Sequence, residues 1–400
     1  MAAEAERIEP RLSTFDTAMV VFSLVVGIGI FRTPAIVARA AGSRELVFTA
    51  WIAAGAVSLI GAFVFAEIGA RRPRAGGYDR VVADCYHPAL AFMLNWSQTI
   101  MQGAGAAGVA FIGADYLAPI VLPPRYANAH STFALACASM LVLLALNYRG
   151  VRLGARAQNL LSLLKIALMA ALVICAFTLV RRAGVPAHAR IAAADGSWPM
   201  RLATALVPCF YAYGGYHLTM NLGADLKNAR RRCPLAIAAG VLTVVTLYLL
   251  LNFAYQRVLG QGGVAGSPLV AAALTGALFG RAGKAVVSTL VFLSAAGFVN
   301  ATIVHMPRTF YAMAEDGALP RAFMRVNART QAQEAGGFAM RGYPLLPAFY
   351  ILCLLTVAVR VAMLKPVLAL AGGAILLTGW PLFRFGRRLF GAPRAPEAAP

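Results

Sequence analysis

Apolar runs of about 20 residues recur from one end of this 400-residue chain to the other. As a helix rising ~1.5 Å per residue, each is long enough to cross a hydrocarbon layer of ~30 Å. Lipid offers no water to backbone amides and carbonyls, so such runs must bond internally as helices. Ten spans are read, at about 16–38, 46–70, 88–117, 130–148, 158–180, 199–222, 234–256, 282–313, 345–363 and 366–384. The apolar stretch from Pro268 to Phe279 is too short to cross and reads as an interfacial helix. The fold class is therefore an all-α polytopic membrane protein of about ten transmembrane helices.

Composition agrees: 60% of residues are hydrophobic and only 13% charged, against ~25% charged in soluble domains. No polar linker divides the chain, so residues 1–400 form a single membrane domain. The net charge of +21 lies between the apolar runs, with no basic patch interleaved with aromatics, and this excludes a nucleic-acid partner. With the N-terminus inside, most of the 36 Lys and Arg are cytoplasmic, including Arg71, Arg72, Arg74, Lys227 and Arg230. That bias puts both termini in the cytoplasm of a cell with an inner membrane, with Arg181, Arg182, Arg190 and Arg201 counting against it. Residues 1–13 mix Glu and Arg and read as a cytoplasmic tail, as do 385–400.

Chemistry of other kinds finds no support. The six cysteines form no CxxC pair and the five histidines are dispersed, so no metal, cofactor or disulfide framework is indicated. GRAGK at 280–284 has Leu278 and Ala285 where a P-loop needs Gly and Ser or Thr. No acid, base or nucleophile cluster suggests an enzyme. His217 and His305 lie in spans, where a histidine is ordinarily structural and can also relay protons.

Two spans are interrupted at corresponding places. Gly27-Ile28-Gly29 and Pro34 break the first; Pro208 and Gly214-Gly215 break the sixth, five spans later. Glycine also serves close helix packing, but matched breaks are the mark of an inverted repeat with two discontinuous helices. Freed amides at a half-helix N-terminus suit a carboxylate, and freed carbonyls suit an ammonium.

At these residues the chain resembles the amino acid–polyamine–organocation superfamily, in particular its L-type amino acid transporter-like bacterial permeases. VVGIGIFRTP at 25–34 is similar to that family's broken first helix and AEIGARRPRAGGY at 66–78 to the link between its second and third. FYAYGGY at 210–216 resembles the sixth-helix break, 223–234 the cytoplasmic segment after it, and 294–320, ending AMAEDGALP, the eighth helix and its sequel. The resemblance implies a leucine-transporter-type inverted repeat, with helices 1–5 at 14–180 and helices 6–8 at 199–313. It implies an amino acid permease working by alternating access with proton coupling or exchange. The substrate carboxylate would meet the amides of Ile28 and Gly29 beside Gly27, and its ammonium the carbonyls of Val25, Tyr211 and Gly214. Phe210 would line the site and Tyr211 would gate it. The surrounding side chains look apolar, which favours a small or neutral substrate. In the family a lysine at the place of Lys165 fills the position of sodium in sodium-driven relatives, so transport would be sodium-independent; the competing reading is a lysine that snorkels to the surface.

The chain departs from the pattern in three places. Ile28 stands where a small residue is usual, and Ala224 and Ala229 replace an acid and a proline. Residues 345–384 resemble the family's last helical hairpin, so its ninth and tenth helices are absent and the hairpin is expected at the periphery. The partners expected are an amino acid, the lipid bilayer and, compatibly, a second copy of the chain in a homo-oligomer. A non-transporting amino-acid-binding sensor, or degenerate permease, is the alternative.

Overall fold

The computed structural model describes residues 13–71, 77–123, 125, 128–148, 151–178, 196–218, 220, 229–267, 269–320 and 366–390. The expected ninth span at 345–363, Ala224 with the rest of 223–228, and most of both tails lie outside these residues.

The first span is two helices. Helix α1 (Thr14–Val25) opens on a capping box: Ser13 Oγ accepts from the Asp16 amide at 3.1 Å and the Asp16 carboxylate accepts from the Ser13 amide at 2.8 Å. It stops at Val26, and a 3-10 turn (Gly29–Phe31) leads into α2 (Thr33–Ala41). Pro34 sits in the first turn of α2, where its missing amide costs no helical bond, and Gly42 ends the helix at φ 69°.

The next spans are continuous: α3 (Arg44–Arg71), α5 (Pro88–Val121), α6 (Ala129–Tyr148) and α7 (Val151–Thr178). A short amphipathic helix, α4 (Gly77–Cys85), connects α3 to α5. At 34 residues, α5 is about 50 Å long, so it must tilt or project from a ~30 Å layer. The sixth span is α8 (Trp198–Tyr213), which breaks at Gly214-Gly215 and resumes as a 3-10 turn at 216–218. Then come α9 (Ala229–Gly266), kinked at Gly260 (φ 65°), α10 (Val270–Phe279) where the interfacial helix was expected, and α11 (Gly283–Glu315). The last helix, α12 (Pro366–Phe390), runs past the expected end at 384. In its last turn the Arg387 guanidinium sits 5.5 Å from the Phe383 ring.

Among the described residues six helices are long and apolar enough to cross a membrane. The first and sixth spans fall short only because each is interrupted. Packing is reciprocal: α1 lies on α9 and α8 on α3, while α3 meets α9 and α5 meets α11. A two-fold relation between the first five spans and the next requires this exchange of partners. Small residues allow the close approaches. A Cβ on Gly240 would stand 2.6 Å from the Val21 Cβ, and one on Gly113 2.5 Å from the Ala295 Cβ.

The core centres on three rings from three helices. Trp51, Tyr213 and Tyr248 have centroids 5.3–5.7 Å apart, and the Tyr213 hydroxyl donates to the Trp51 carbonyl at 3.3 Å. At the end of the first span, arginines hold loose carbonyls. Arg201 donates to Ala41 O through both Nε and Nη2, and Arg39 Nε donates to Ala265 O at 2.6 Å. These bonds tie α2 to α8 and α9.

Candidate functional site: two facing helix breaks and a buried lysine

The two interruptions meet backbone to backbone. Gly215 adopts φ 114°, and a Cβ there would stand 2.5 Å from the Leu24 carbonyl oxygen. Only glycine permits both the conformation and the contact.

Around this contact the backbone is left with open valences. Among the described residues no hydrogen bond engages the amides of Ile28 and Gly29, and both residues are half-buried. They lie just before α2, whose N-terminal dipole adds to their pull on an anion. Across the contact, the Gly214 amide turns to the Tyr211 carbonyl at 3.3 Å, which leaves the Phe210 carbonyl without the partner a continuous helix would give it. Phe210 and Ile28 both pack on the main core. The Val25 carbonyl is more engaged than its place in the sequence suggests: it accepts from the Gly27 amide at 3.0 Å and from the Tyr248 hydroxyl at 3.4 Å. The Tyr211 ring is 83% exposed, so in this conformation it lies open and does not cover the breaks.

Lys165 is 0% exposed. Its Nζ donates to the Val26 carbonyl at 2.6 Å and sits 5.5 Å from the Phe22 ring. A Cβ on Gly297 of α11 would stand 3.1 Å from this Nζ and 3.2 Å from Ser23 Oγ, so the missing side chain makes the room the ammonium occupies. The side chain therefore reaches inward between the first and eighth spans and does not snorkel.

Sequence reading missed the residues that hold this lysine. One turn before it, Ser162 lies 2.8 Å from Ser23 Oγ, donates to Met19 O at 3.1 Å and accepts from Gln158 Nε2 at 3.0 Å. Asn300 donates to Gln158 Oε1 at 2.8 Å, and Asn147 donates to Asn300 Oδ1 at 2.6 Å. Asn159 bonds the capping Asp16. The signal was present: Gln158, Ser162 and Lys165 recur at helical spacing along one face of an otherwise apolar span, and polar groups in spans turn inward.

A second polar group lies on the other side of α11. Gln98 and Gln102, one turn apart on α5, place their Nε2 atoms 3.4 Å from Nε2 of His217 and of His305 respectively. His217 follows the sixth-span break and is flanked by Phe65, with ring centroids 5.7 Å apart. Among the described residues Nδ1 of the buried His305 has no hydrogen-bond partner, a deficit that costs ~1–3 kcal/mol when left unmet.

The chain's similarities agree with this architecture. The model of the "Amino acid permease" family matches residues 12–378. The serine/threonine exchanger SteT of Bacillus subtilis (strain 168) is 25% identical over 324 residues, covering 80% of this chain and 72% of that protein. The cystine/glutamate transporter of Homo sapiens is 24% identical over 331 residues, covering 82% and 65% respectively. The b(0,+)-type amino acid transporter 1 of Mus musculus is 24% identical over 311 residues, covering 78% and 64%. The chain thus spans less than two thirds of the length of these two mammalian relatives. With its family model matched almost from end to end, this multi-pass membrane protein belongs to the amino acid permease family.

Proposed function

We propose that the chain carries a neutral α-amino acid across a cell membrane as a sodium-independent secondary transporter, with the substrate held between the two breaks. The observation that carries this reading is the pairing of unbonded amides at Ile28 and Gly29 with the released carbonyl at Phe210, at a backbone contact inside the membrane. A carboxylate and an ammonium on one carbon are the ligand such a pairing fits. Because backbone groups make these contacts, they select for the α-amino acid as a class.

The Lys165 ammonium supports sodium independence. It puts a fixed cation against the Val26 carbonyl, where a mobile one would otherwise find oxygen ligands. Coupling is then to protons or to exchange of one amino acid for another. The distribution of Lys and Arg supports a cytoplasmic location for both termini.

Uptake of labelled amino acids into proteoliposomes tests the proposal. We expect saturable uptake that is unchanged when external sodium is replaced by choline, and uptake that rises with sodium would sink the sodium-independent reading. The expected lack of the family's ninth and tenth helices, read from the resemblance of 345–384 to its last hairpin, supports a second reading, an amino-acid-binding sensor that does not cycle. Binding without uptake would establish that one.

A further inference from the structure

We infer that Gln98, Gln102, His217 and His305 form a side-chain subsite of the transport route, one that takes a hydroxyl or amide group and discriminates against an aliphatic one. This rests on the reading of the two breaks as the amino acid site, since the subsite is placed relative to them.

Placement comes first. His217 lies three residues past Gly214 within a 3-10 turn, about 6 Å along its axis at ~2 Å per residue. Phe298 of α11 is the side chain nearest a Cβ built on Gly27, and His305 lies two helical turns further along the same face, about 10 Å at ~1.5 Å per residue. The four residues therefore begin one side-chain length from the breaks and continue along α5 and α11. Three of them, Gln98, Gln102 and His217, are half-buried, while His305 is fully enclosed.

Their hydrogen-bonding capacity comes second. Each glutamine amide carries two donors and an acceptor, and its histidine contact uses only one of these. Both contacts are long at 3.4 Å, so an incoming polar group can displace them readily. His305 is the clearest indicator. If the Gln102 amide donates to its Nε2, then Nδ1 carries a proton with no acceptor. If the amide is turned the other way, Nδ1 is an acceptor with no donor. A hydroxyl or a carboxamide, which can donate and accept, completes either arrangement; a methyl group completes neither.

The geometry of the rings is fixed independently of any ligand. His217 packs between Phe65 and Tyr216, the latter edge-on at 6.1 Å, and α5 and α11 form one of the most extensive helix contacts in the molecule. A prepositioned polar group that loses its partner when the wrong substrate enters is the arrangement that rejects a close isostere.

Threonine and valine differ only by a hydroxyl in place of a methyl, and glutamine and methionine are a longer pair of similar size. The test measures binding of these four by ligand-induced thermal stabilisation of the purified protein, and uptake of each into proteoliposomes. We expect the polar member of at least one pair to be preferred by about tenfold, ~1.4 kcal/mol. In Gln98→Leu, Gln102→Leu and His305→Asn that preference should shrink to about twofold, mainly by weaker binding of the polar member. Equal binding of both members of both pairs by the unaltered protein overturns the subsite, whatever the variants do. So does a preference that all three folded variants keep. A preference in binding without uptake leaves the subsite standing and removes only the transport reading.

Discussion

At the residue scale, glycines of similar appearance in the sequence have unequal roles. A Cβ on Gly27 would meet only Phe298 at 3.8 Å, and one on Gly29 only Thr33 Oγ1 at 3.8 Å. A Cβ on Gly215 would meet the Leu24 carbonyl at 2.5 Å from a backbone at φ 114°. Gly27→Ala should thus keep uptake within about threefold of the unaltered protein, whereas Gly215→Ala should lower it by about a hundredfold or more, because the two breaks must separate. Comparable uptake by the two variants, at matched amounts in the membrane, would contradict this account. Lys165 offers a second test. Its removal leaves the Val26 carbonyl without its donor and a void between α1, α7 and α11. Lys165→Ala should reach the membrane yet take up amino acid at least tenfold more slowly; unchanged initial rates would show that the ammonium is dispensable. The glycines and the lysine were legible because each breaks the apolar rule of a span. Tyr248 was not, since an aromatic residue in a span reads as core until the fold points its hydroxyl at Val25.

At the level of elements, nine of the ten expected spans have their counterparts among the described residues. The breaks in the first and sixth fall at the expected glycines, whereas Pro34 opens α2 and Pro208, expected to interrupt the sixth span, lies inside a continuous α8. Hydropathy finds spans because lipid imposes helices. It cannot find which faces meet, because lipid-facing and partner-facing residues are equally apolar. Polar residues marked one face of α7 in the sequence, but their partners on α1 emerged only in three dimensions. Asn159, Ser162 and Lys165, three residues apart on α7, engage Asp16, Met19 with Ser23, and Val26 along α1. Ser162→Val removes the middle of this series, at a cost of ~1–3 kcal/mol for the stranded partners. The expected result is faster amide hydrogen exchange in residues 14–25 with little change in α9. Exchange that rises equally throughout the chain would indicate general loosening and count against a discrete seam.

For the molecule as a whole, the open question is where the last helix belongs. Reciprocal packing requires a tenth helix to lie against the sixth and second spans, as α7 lies against α1 and α9. Among the described residues the extensive packing of α12 is on α5, with Trp96 Nε1 donating to Thr378 Oγ1 at 3.1 Å and Phe92 against Phe383 at 5.6 Å. This favours a peripheral place for α12 over the place of a tenth helix. A Cβ on Gly379 would stand 2.8 Å from the Met93 Cα and 3.2 Å from its Cβ, so a small outward shift of α12 brings the two Cβ atoms to disulfide distance. Met93→Cys with Gly379→Cys, in a chain otherwise free of cysteine, should therefore cross-link on mild oxidation. If α12 belongs to the stationary surround, uptake should survive the cross-link; complete and reversible loss would place α12 among the moving parts.

The contact between Gly215 and Leu24 has a mechanical consequence. At that point no side chain is interposed and the two interrupted spans meet through peptide groups, and peptide groups do not change rotamer. Nothing at that point can yield while the rest stays in place. The contact acts as a shared pivot, so a tilt of the inner half of one span is delivered to the other without delay or slack. Under the proposed function, an amino acid seated beside such a pivot would be sensed by both spans as a single event, and its two ends, acid and amine, would be released together.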